Sequence, residues 1–126
     1  MQLPAHLNWY FGWTLILSAF LTGAALGLFF HLDDFLGGYA SFRRRLARLG
    51  HIAQAALGML NVLYGLSPRA SSPDAEIASI ALIVGALAMP AVCYLTSWKS
   101  SLRKLFFVPV TALVVAVVYV LKGGIQ

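Results

Sequence analysis

Residues 1–32 read MQLPAHLNWYFGWTLILSAFLTGAALGLFFHL, an opening of 32 residues without one charged side chain. Crossing the hydrocarbon of a bilayer as a helix takes about 20 apolar residues, within a range of roughly 17–25. The pattern recurs three times: 49–68, 77–98 and 105–121 are uncharged over 20, 22 and 17 residues. Between them the charges gather in short clusters. The whole chain of 126 residues is 60% hydrophobic and 10% charged, whereas a soluble domain carries about 25% charged residues. The sequence therefore predicts an all-α integral membrane protein, a four-helix bundle with spans at about 9–32, 47–66, 76–98 and 105–121 in one domain.

This reading excludes most function classes. The connections are too short to bury a core of their own, so no soluble catalytic or nucleic-acid-binding domain is expected. The net charge of +5 comes from basic residues beside the spans, where topology explains them without nucleic acid. A single cysteine, Cys93, leaves no internal disulfide and no CxxC motif. Residues 1–6 contain no Lys or Arg, so the first apolar run reads as a retained span, not a cleaved signal peptide.

Orientation follows from the basic residues. Arg43, Arg44, Arg45 and Arg48 stand between spans 1 and 2, and Lys99, Arg103 and Lys104 between spans 3 and 4, against Arg69 and Lys122 on the other side. Short loops rich in Lys and Arg stay cytoplasmic. The expected arrangement is up-down-up-down, with loops 1–2 and 3–4 cytoplasmic and both termini on the non-cytoplasmic side. Compact size and terse loops suit a bacterial inner membrane. Trp9, Tyr10, Phe11 and Trp13 at the start of span 1, and Trp98 at the end of span 3, suit the interfacial belts.

Local signals set the helix ends. Asp33 and Asp34 followed by Gly37 and Gly38 should stop the first helix. Ser41 and Ser72 stand where N-caps are needed, the latter before Pro73, Asp74 and Glu76. Pro109 lies near the start of span 4 and Gly123-Gly124 just past its end.

The polar residues inside the spans carry the functional reading. Span 2 places Ala47, His51, Gln54, Gly58, Asn61 and Gly65 at alternating spacings of four and three, which is one helical face. Span 1 has Ala19, Gly23, Gly27 and His31 at spacing four, and span 3 a weaker row of Ala78, Ala81, Gly85 and Ala88. Small residues mark close packing in lipid, and polar residues mark the bundle interior. Gln54, Gly58, Asn61 and Gly65 are accordingly read as a helix-packing stripe, with Ile52, Leu57, Leu60 and Leu63 facing lipid. Span 4 lacks a comparable row and is placed at the periphery.

Three functions compete. The first is a non-enzymatic accessory subunit packing against other membrane protein subunits or against itself; no Ser-His-Asp set, paired intramembrane carboxylates or HExxH motif is present. The second is a b-type haem subunit for electron transfer. His31 and His51 fall in the same leaflet and would be its axial ligands, with Arg44, Arg45 and Arg48 pairing haem propionates or lipid headgroups. Met59 and Met89 lie off the histidine-bearing faces, and no metal site is expected. The third is a small oligomeric transporter or channel, disfavoured because Asp33, Asp34, Asp74 and Glu76 all lie at span ends.

Overall fold

The computed structural model describes residues 6–67 and 72–124. Among these there are four long helices, α1 (Leu7–Phe29), α2 (Phe42–Leu66), α3 (Pro73–Trp98) and α4 (Phe107–Gly124), and no strand. Each of the four is long and apolar enough to cross a membrane. Short 3-10 segments, Phe35–Gly37 and Ser100–Phe106, lead into α2 and α4.

The caps form where the sequence puts them. Ser41 Oγ accepts the Arg44 backbone N–H at 3.1 Å and Ser72 Oγ accepts that of Ala75 at 3.1 Å, with Pro73 in the first turn of α3. Helix α1 ends earlier than the acidic pair predicts, at Phe29 instead of near residue 32. Arg44 meets the chain there, its Nη2 and Nη1 donating to the Phe30 and Leu32 carbonyls at 2.8 and 3.4 Å. The guanidinium satisfies carbonyls that an ending helix leaves bare. The turn that follows is tight, with positive φ at Gly37 (87°) and Gly38 (95°) and also at Leu36 (55°). At the other extreme, α4 continues through Gly124 instead of stopping before the glycine pair. Residues 68–71, with Arg69 and the middle of the connection between α2 and α3, lie outside the described residues.

Neighbours in sequence are neighbours in space. α1 packs on α2, α2 on α3 and α3 on α4, while α1 and α3 touch only lightly. Contacts run in opposite directions along each pair: Gly65 of α2 meets Trp9, Gly58 meets Gly12 and His51 meets Gly23. Likewise Tyr64 donates to the Ala75 carbonyl at 2.7 Å near one end of α2–α3, and Arg43 Nε donates to the Ser97 carbonyl at 3.0 Å at the other. Ser97 Oγ returns a bond to the Arg43 carbonyl at 2.8 Å. Lys122 and Asp74 pair at 3.2 Å between α4 and α3.

Two helices, α2 and α3, are thus flanked on both sides, which changes one expectation. Leu57 does not face lipid. It is buried with Leu15 of α1 and Ala86 of α3, because a helix between two neighbours hides two stripes, not one. Ile52, Leu60 and Leu63 are exposed as expected. Gly85 of α3 sits under Leu113 of α4, whose Cγ would lie 2.6 Å from an added Cβ.

Candidate functional site

Three polar constellations occupy successive levels along the bundle. At the end formed by the start of α1, Asn8 Nδ2 donates to Asn61 Oδ1 at 2.9 Å and Ser79 Oγ donates to Asn8 Oδ1. Asn61 Nδ2 closes on the Leu57 carbonyl at 2.9 Å. These three side chains come from three helices, and Asn61 has no exposed surface at all. A buried amide without such partners costs free energy, so the triad holds α1, α2 and α3 in one register.

Nearer the middle, Gln54 does the same for a second level. Its Nε2 donates to Ser18 Oγ at 2.9 Å, and its Oε1 accepts from Thr22 Oγ1 at 3.0 Å and from the Tyr94 hydroxyl. Thr22 Oγ1 also lies 3.5 Å from His51 Nδ1. Gln54, Gly58, Asn61 and Gly65 each lie against α1. An added Cβ at Gly58 would meet Ile16 Cγ1 at 2.8 Å, and one at Gly65 the Trp9 nitrogen at 2.7 Å.

The third constellation caps the arginine end. Arg44 is only 4% exposed, and Phe30, Phe35 and Tyr39 surround its guanidinium with centroids 4.8, 5.9 and 5.6 Å away. Its Nε has no hydrogen-bond partner. The side chain read as a propionate or headgroup contact is thus enclosed, holding carbonyls at the end of α1. Arg45 is exposed. Arg48 is half-buried, with its guanidinium 4.6 Å over the Tyr39 ring and Nη2 3.4 Å from the Tyr39 carbonyl.

The two histidines have different surroundings. The His51 ring lies against Gly23, where an added Cβ would come within 2.6 Å of Cε1. His31 is exposed beyond the end of α1. His51 lines a cleft between α1 and α2, and His31 does not. Among the described residues no group of three His, Cys, Asp or Glu side chains converges as for a metal ion.

An open cleft of about 240 Å³ remains between α1 and α2 at the arginine end, lined by Gly23, Gly27, Phe30, Arg48, His51 and Ile52 among others. Nothing lies within 4 Å of the point where a Gly27 Cβ would stand.

Sequence reasoning missed the partners of the stripe. Asn8 and Gly12 continue the row of Ala19 and Gly23 backwards at the same helical period, a signal that was present. Thr14, Ser18 and Thr22 stand at spacing four, a second signal that was present; Ser79 and Tyr94 are selected by the packed register. No protein-family model matches the chain, and no curated protein or solved structure matches it significantly.

Proposed function

We propose that this chain is a small non-enzymatic integral membrane protein that packs as an accessory subunit in a larger membrane complex. The observation that carries the reading is the use made of the polar side chains. Asn8, Asn61, Ser79, Ser18, Gln54 and Tyr94 bond one helix to another, which is the work of interhelical glue. Broad apolar faces remain outside: Leu17, Phe20, Leu21 and Leu28 of α1, and Val110, Val114, Val117 and Leu121 of α4, are exposed. Such faces suit lipid and neighbouring subunits alike. The charge asymmetry supports an up-down-up-down course with both termini outside and the arginine end in the cytoplasm, in a bacterial inner membrane.

The test is isolation at natural abundance in mild detergent, followed by native electrophoresis and quantitative mass analysis. The chain should migrate in fixed stoichiometry with a partner, well above its own 13.6 kDa. A monodisperse, partner-free species would overturn the proposal. So would a Soret band that disappears in His51→Ala, which would favour the haem reading.

A further inference from the structure

We infer that the cleft between α1 and α2 at the arginine end binds one anionic phospholipid, its phosphate on Arg48 and its first methylenes over Gly27, with His51 as the floor beneath them. The inference needs the chain to lie in a membrane and does not depend on a partner subunit.

Depth comes first. The Arg44 guanidinium reaches the Phe30 carbonyl just past α1, and His51 packs on Gly23. The cleft therefore starts where α1 ends and α2 begins, and runs about 10 Å inward along the helices. With a hydrocarbon core of about 30 Å and a headgroup layer outside it, that is the span from phosphate to upper acyl chain. Arg48 lies over Tyr39, toward the start of α2, so its charge is at the outer part of the cleft. His51 stands one turn deeper on the same face.

Chemistry selects the occupant. Arg48 has one long bond to the Tyr39 carbonyl, and a guanidinium carries five donors. A phosphate is the group its fork matches best. His51 has Nδ1 toward Thr22 and its ring against Gly23, so it forms the inner floor of the cleft. Phe30, Leu26 and Ile52 supply apolar walls, and Gly27 lets the chain approach the α1 backbone. The charge sign agrees: Arg43 and Arg45 stand on the same helix end, while Asp33 and Asp34 belong to the connection and do not line the cleft. Arg44, on the same face one turn earlier, is enclosed by rings and does not compete for the anion.

The test is native mass spectrometry of the full chain released from micelles doped with either phosphatidylglycerol or phosphatidylcholine of the same acyl length. One phosphatidylglycerol should be retained at least about fivefold over phosphatidylcholine. Arg48→Gln should abolish that preference, while Arg45→Gln, which removes an equal charge outside the cleft, should keep it. Gly27→Leu should remove the adduct by filling the cleft, with circular dichroism confirming the fold. Equal retention of both lipids, equal losses in Arg45→Gln and Arg48→Gln, or an adduct that survives in folded Gly27→Leu would each overturn the inference. A wild-type dimer that Gly27→Leu dissociates would also overturn it, because a second copy would then fill the cleft.

Discussion

Replacing Gly12 by alanine tests the closeness of α1 and α2, and the same change at Gly27 is its internal control. A Cβ at Gly12 would stand 2.6 Å from the Gly58 carbonyl oxygen and 2.7 Å from the Val62 nitrogen. Both are backbone atoms, so no side chain can rotate away. Moving the oxygen from 2.6 Å to the 3.4 Å where ordinary contact begins separates the helices locally by about 0.8 Å. The Asn8–Asn61 bond, now 2.9 Å, lies one turn away and would lengthen past the useful range of about 3.2 Å. Overpacking costs about 1–3 kcal/mol and an interhelical hydrogen bond is worth about 0.6 kcal/mol, so Gly12→Ala should destabilise by roughly 1.5–3.5 kcal/mol. Gly27→Ala adds a methyl in open space and should be neutral or stabilising by up to about 1 kcal/mol through helix propensity. Unfolding by sodium dodecyl sulfate titration in mixed micelles, followed by circular dichroism, measures both. Equal midpoints for the two variants would refute the backbone-to-backbone contact.

Three further outcomes are expected. Arg44→Met should destabilise by about 1.5–3 kcal/mol, since it bares the Phe30 carbonyl, and hydrogen exchange should accelerate selectively in residues 30–39. Gln54→Leu and Tyr94→Phe should each weaken the bundle in the same detergent titration. Their costs should not add, by about 0.5 kcal/mol or more, because they remove opposite ends of one bond. In a Cys93→Ala background, a membrane-impermeant thiol reagent applied to intact cells should label Ser72→Cys and spare Ser100→Cys; the reverse pattern would invert the topology.

The fold was legible because lipid imposes a simple rule on sequence. Uncharged runs of membrane length mark helices, and a row of Gln54, Gly58 and Asn61 at helical period marks a buried face. What the rule does not encode is which residues answer that row. Asn61 meets Asn8 and Gln54 meets Tyr94 only because the glycines let backbones touch at one register. Arg44 was hidden for a different reason. Four arginines near one helix start look alike to a topology rule, and only the premature end of α1 selects the one that turns inward. The histidines show the limit of counting from the membrane edge. His31 and His51 lie at similar sequence distances from their flanking charges, yet α1 stops at Phe29 and leaves His31 outside the helix.

The Asn8 triad also sets a condition on biogenesis. Its members are far apart in the chain, with Asn61 53 residues and Ser79 71 residues from Asn8. As the chain emerges from a ribosome, the first helix presents an asparagine whose helical partners have not been made. Pairing must wait for the second helix and is completed only by the third. The α1–α2 hairpin is therefore a half-satisfied intermediate, with its polar atoms turned to a translocon wall or to interfacial water until α3 arrives. The fourth helix joins a unit whose hydrogen bonds are already closed.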